Sequence, residues 1–145
     1  MQKLRLGILL FALSMIHSQC YSDAGAEQKE HPKNIILLIG DGMGMAQIYS
    51  GMTMNKGRLS LEKATHIGIQ KTNSSNNYIT DSAASGTAIA SGVKTKNGVV
   101  GKDSTMQDVK SLLEYAEENG LATGLVSTSA ITHATPASFI TLLSN

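Results

Sequence analysis

Most of residues 34–40, NIILLIG, form an unbroken apolar run between Pro32 and the glycines Gly40 and Gly42. A short greasy run bounded by breakers predicts a strand buried on both faces. Residues 64–71, ATHIGIQK, alternate instead and predict a second, shorter strand; residues 123–128, TGLVST, predict a third. Helical spacing takes over between these runs. Met43, Gln47 and Ile48 recur at roughly helical intervals after the first strand. Residues 82–92, SAASGTAIASG, predict a tightly packed, alanine-rich helix ending at Gly92. Residues 104–119 give the clearest helix, with Val109, Leu112, Leu113 and Ala116 on one face and Gly120 closing it. Ser104 and Gln107 supply a capping box there. Pro136 opens a last helix as its first residue. Residues 73–77, NSSNN, read as a polar loop, and Asn97-Gly98 as a hairpin turn. The order strand, helix, strand, helix, helix, strand, helix predicts an α/β fold with a largely parallel sheet.

The first twenty residues follow a different pattern. MQKLR is basic, residues 7–16 are apolar and uncharged, and HSQC ends the run. That is the layout of a secretory signal, and the greasy stretch is too short for a comfortable membrane span. The chain is therefore expected to be exported, either free in the periplasm or held to a membrane by lipid. Cys20 is the sole cysteine, so it has no internal disulfide partner. Its position suits lipid attachment, although HSQ is a poor small-residue box; lipidation and plain cleavage nearby both stay open. Residues 21–33 are polar and read as a flexible lead-in.

Composition narrows the rest. The chain has 145 residues, enough for one modest domain. Aromatics make up 4% and tryptophan is absent, so Ile, Leu, Val, Met and Ala are expected to build the core. Net charge is +1 with no basic tract, which gives no footing for nucleic acid.

Functional loops of such sheets gather at the carboxyl ends of strands. Three loops qualify. Asp41 ends the first apolar run between two glycines; it suits a metal cation, a helix cap or, less well, a nucleotide loop, since GDGMG does not match GxGxxG. Ser82 starts the alanine-rich helix after Asp81. Small residues behind it leave room for a substrate at Oγ, and a helix N-terminus favours an anion such as phosphate. The plainer reading is that Asp81 or Ser82 only caps the helix. The pentad TDSAA lacks the glycines of an acyl-hydrolase elbow, which favours metal activation of the serine. His133 and Thr135 in THATP lie two apart and project to one side of an extended loop, within reach of a metal. A loop histidine ahead of a helix start is the simpler alternative. His66 reads as structural.

Together NIILLIGDGMG, YITDSAASGTA and ITHATPASF resemble the alkaline phosphatase family, in family order and over residues 34–145. The resemblance implies a three-layer α/β sandwich around a largely parallel sheet. It implies hydrolysis of phosphate monoesters through a phosphoserine on Ser82, with two zinc ions and one magnesium per site. Asp41 would bridge a zinc and the magnesium-type metal; Ser82 would bind zinc when ionised. Asp81 would orient a phosphate-gripping arginine, and His133 and Thr135 would line the third metal site. Many bacterial members carry aspartate where His133 stands, and imidazole suits magnesium less than carboxylate does. The resemblance also implies a homodimer. The family's arginine and its remaining zinc ligands would fall beyond Asn145, so the fold is expected to be incomplete at its C-terminus and this segment alone inactive. A serine acyl hydrolase and a non-catalytic surface lipoprotein are the alternatives.

Overall fold

The computed structural model describes residues 32–141 and divides after Leu38 into two units. The expected signal, Cys20 and residues 21–31 of the lead-in lie outside the described residues, as do residues 142–145. Among the described residues no helix is long and apolar enough to cross a membrane.

Among the described residues there are four α-helices: α1 Met45–Met54, α2 Ser82–Ser91, α3 Leu112–Glu118 and α4 Ala134–Ala137, with a 3₁₀ turn at Ser60–Lys63. Helix α1 starts at Gly44, whose N–H donates to Gln47 Oε1 at 3.0 Å, satisfying one orphan donor of the first turn. It buries none of its residues. Helix α2 matches the sequence expectation closely. Asp81 Oδ1 accepts the Ala84 N–H at 2.8 Å, and Gly92 ends the helix at φ +76 with its N–H on the Ala88 carbonyl.

Helix α3 corrects its expected start from residue 104 to Leu112. Ser111, not Ser104, forms the capping box: its Oγ accepts the Glu114 N–H, and its own N–H donates to Glu114 Oε2 at 2.6 Å. The upstream residues are held by Asp103 instead. Its Oδ1 accepts from Thr105 N–H (2.8 Å), Thr105 Oγ1 (2.7 Å) and Gln107 N–H (2.9 Å), and Met106 sits at φ +69. Local side-chain bonds of this kind compete with helix and win here. Helix α4 begins at Ala134, so Pro136 is its third residue, not its first. Proline is tolerated there because the first turn's N–H groups have no intrahelical partner.

The expected sheet is not formed among the described residues. Residues 34–40, 64–71 and 123–128 carry no ladder, and the one β-bridge described is the isolated antiparallel pair Lys102–Asp108. Ile35, Ile36 and Leu38 are at least 85% exposed, and Ile67, Ile69 and Val126 more so. A strand exists only where its N–H and C=O groups meet a neighbour's. The Asn97-Gly98 turn also differs from expectation. Val99 N–H bonds the Lys96 carbonyl at 3.1 Å, and of the two central residues only Gly98 has positive φ, +82. That is the pattern of a type II turn, not of a primed hairpin turn.

The packed part is built from small side chains. Ala83, Ala84, Ala90 and Phe139 are the buried apolar residues among those described: of the expected Ile, Leu, Val, Met and Ala core only the alanine part is buried there, and an aromatic joins it. Helix α2 packs on α4 and α3. Gly86 permits this contact: a Cβ there would lie 2.7 Å from Ser138 Oγ and 3.4 Å from Thr135 Cα. Buried Thr87 ties α2 to the following turn, accepting the Gly101 N–H at 3.0 Å and donating to the Val99 carbonyl. Ser111 Oγ donates to the Phe139 carbonyl at 2.9 Å, linking the cap of α3 to the chain after α4.

Candidate functional site

Three residues far apart in sequence meet at the start of α2. Ser82 is the first residue of that helix, and Asp81 already serves as its cap. The hydroxyl of Ser82 is therefore free of capping duty. It donates to the Asp41 carboxylate, 3.1 Å from Oδ1 and 3.2 Å from Oδ2. Thr135 Oγ1 donates to Asp41 Oδ2 at 2.7 Å. Asp41 itself is exposed, just past the Gly40 carbonyl that accepts the Met43 N–H. Gly42, at φ +67, lets the chain turn there without a side chain in the way.

Each partner is placed by a separate device. The Asp81 cap sets the first turn of α2 and with it Ser82. The bare backbone at Gly86 lets α4 lie close enough for Thr135 to share the Asp41 carboxylate. The helix start adds backbone N–H groups and a partial positive charge beside the hydroxyl.

Asp81 is more firmly held than a cap requires. Its Oδ2 accepts the Gly98 N–H at 2.6 Å, and its own N–H donates to Asn97 Oδ1 at 3.3 Å. Asn97 Nδ2 donates in turn to the Ile79 carbonyl at 2.9 Å. Behind this turn, Asn97 N–H donates to Asn76 Oδ1, and Lys94 Nζ donates to the Asn73 carbonyl and side chain. Sequence reasoning took Asn97-Gly98 for a hairpin and missed this contact. An asparagine before a glycine marks a turn but does not say what the turn will face.

His133 is the residue that the site does not visibly engage. It caps the start of α4 with extended backbone, is exposed, and its ring makes no hydrogen bond among the described residues. Only its place two residues before Thr135 puts it at this end of the molecule. His66 bonds Thr65 Oγ1 at 2.9 Å in an exposed segment, away from these contacts.

One carboxylate and two hydroxyls make an all-oxygen donor set. Hard cations favour such donors, and zinc accepts carboxylate and imidazole. The residues fit a metal in kind but not in number. No group of three or more His, Cys, Asp or Glu side chains comes together among the described residues. By themselves they would make only one part of a coordination shell. A hydroxyl on a carboxylate is oriented but remains a weak nucleophile until something stronger activates it. No imidazole bonds Ser82 among the described residues, as an acyl-hydrolase pair would need.

A serine at a helix start thus shares an aspartate with a threonine from a distant loop. The alkaline phosphatase family profile matches residues 32–145, and the chain belongs to that family. It is 40% identical over 139 residues to alkaline phosphatase 4 of Bacillus subtilis, covering 90% of this chain and 30% of that protein. Against alkaline phosphatase of Escherichia coli it is 43% identical over 118 residues, 74% of this chain and 25% of that protein. Among solved structures it is similar to alkaline phosphatase from the Antarctic bacterium TAB5, with a TM-score of 0.72 and 47% identity over 74% of this chain and 32% of that one. The chain has an alkaline-phosphatase-like fold and spans under a third of the length of these relatives.

Proposed function

We propose that residues 34–145 are the N-terminal part of an alkaline phosphatase domain and carry its nucleophile, so that the full-length protein hydrolyses phosphate monoesters. The observation that carries this reading is the meeting of Ser82 Oγ and Thr135 Oγ1 on one carboxylate, that of Asp41. Family membership supports it.

Ser82 Oγ attacks phosphorus, the O–P bond to the alcohol breaks, and the alcohol leaves with a proton. Water then attacks the phosphoserine, frees inorganic phosphate and restores the hydroxyl. Splitting one hard step into two suits a reaction whose uncatalysed rate demands acceleration up to about 10²¹-fold. Asp41 orients the attacking hydroxyl, and Asp81 fixes the helix start and offers a carboxylate to the family's phosphate-binding arginine. When bound, zinc and magnesium would supply charge neutralisation at the phosphoryl oxygens and a lowered pKa for the nucleophile. Asp41, Ser82, Thr135 and His133 would hold them in this part of the chain. A solved structure of a TAB5 alkaline phosphatase variant, a histidine replaced by glutamate, has magnesium bound in its M3 site, which supports a cation in the third site and ties magnesium there to a carboxylate, not to an imidazole such as His133.

The remaining readings rest on the resemblance and the sequence. The sheet closes, and subunits pair, in the full-length protein. Export follows from residues 1–20, with Cys20 a candidate lipid anchor. The 145-residue segment alone is inactive on this reading, because among the described residues no group of three or more metal-ligating side chains comes together and the apolar runs lie uncovered.

The test is chemical trapping. Full-length protein incubated with inorganic phosphate at acidic pH should carry one phosphoryl group on Ser82 by mass spectrometry. Ser82→Ala should lose that mark and at least about a thousandfold in turnover. Normal turnover with a bare Ser82 would overturn the reading.

A further inference from the structure

The turn at Asn97-Gly98 touches none of the residues assigned to chemistry except Asp81, yet it grips Asp81 from two sides. Gly98 N–H holds carboxylate Oδ2 at 2.6 Å, while Asn97 Oδ1 receives the Asp81 N–H at 3.3 Å. The same Asn97 side chain donates to the Ile79 carbonyl at 2.9 Å, so its amide spans both ends of the Ile79–Asp81 segment. The other carboxylate oxygen is already committed to the Ala84 N–H inside α2. The main chain of Asn97 is itself pinned, its N–H on Asn76 Oδ1 at 3.0 Å, and Asn76 Oδ1 also accepts from Ser74 Oγ. Ser75 N–H bonds the Thr95 carbonyl at 2.9 Å, docking the polar loop on the same turn.

From this we infer that Asn97 is a positioning residue for the nucleophile, acting through Asp81 on the first turn of α2. The inference rests on Ser82 being the attacking group. An N-cap alone fixes a helix start through one side-chain oxygen. Here the cap residue is locked at its main chain and at both carboxylate oxygens, so neither its rotamer nor its backbone can drift. Ser82 follows it directly, and its Oγ must meet Asp41 and the phosphorus together. Misplacement of a reacting group by about 1 Å can cost about 100-fold in rate. Gly98 belongs to the device because its φ of +82 aims its N–H at Asp81.

The experiment is rapid-quench phosphorylation of the full-length enzyme, with burst amplitude counting correctly folded sites and the burst rate constant reporting attack by Ser82. Asn97→Ala should keep most of the amplitude and lower the rate constant about 10- to 100-fold, with KM changed much less. Asn97→Asp keeps an acceptor for the Asp81 N–H but loses the donor to Ile79. It should fall between wild type and Asn97→Ala. A merely structural role would lower amplitude and leave the rate constant of the remaining sites unchanged, and that result would overturn the inference. Should Asn97→Ala fail to fold, Asn97→Asp and Gly98→Ala are read in the same way, and a wild-type rate constant in both would overturn it. Absence of phosphoserine on wild-type Ser82 would remove the reading underneath, and the inference with it.

Discussion

Two regions of this molecule contrast sharply. Around α2 the chain buries alanines, a glycine and threonine hydroxyls, and almost every polar group has a partner. Thr95 Oγ1 is the buried exception among the described residues. Along residues 35–39, at Ile67 and Ile69, and at Val126, much larger apolar side chains face outward. The region with less hydrophobic surface is the one that packs. What separates them is the range of the interactions each needs. Caps, turns and helix-to-helix contact are completed by nearby residues or by a close backbone approach. A strand is completed only by another strand.

The largest effect should appear in backbone hydrogen exchange. Amides of residues 35–39, 67–69 and 123–127 should exchange at least about a thousandfold more slowly in the full-length protein than in the 145-residue chain, while those of α2 differ far less. Equal protection of both sets in the two proteins would erase the contrast. Next comes Gly86→Ala, which places a Cβ against Ser138 and should destabilise the packed region by about 1–3 kcal/mol in urea titration despite alanine's better helix propensity. Ser111→Ala removes a cap and leaves the Phe139 carbonyl short of a donor, for a loss of about 1–2 kcal/mol in the same assay. The smallest effect belongs to Asp103. Hydrogen bonding, first from the Thr105 hydroxyl and then from the Gln107 N–H, holds its carboxyl below the usual value near 3.8. Its contribution is complete above that value and fades as pH falls through the lowered one. Exchange at Thr105 and Gln107 should quicken on acidification over that window, and Asp103→Asn should flatten the response.

Legibility followed the same divide. Helix α2 was readable to within a residue because Asp81, the alanines and Gly92 are all local signals. The meeting of Ser82, Asp41 and Thr135 was reachable through motif resemblance, since no local pattern links positions 41 and 135. The start of α3 was misread because Ser104 and Ser111 offer equivalent capping boxes, and only the bonds gathered by Asp103 decide between them. The apolar runs were read correctly as greasy and bounded, but pairing is not a property of a run by itself. Asn97 was invisible as a partner of Asp81, since it lies sixteen positions further on and the turn signal is generic.

The carboxylate of Asp81 has one further consequence. Each oxygen of an ionised carboxylate has two lone pairs, and here each has given one to a fixed amide, Ala84 on one side and Gly98 on the other. Rotation about the bond to the carboxyl carbon is thereby arrested. The lone pairs left over point in directions settled before any cation arrives, so a guanidinium docking on them would lose its own freedom but need not freeze that of the acceptor.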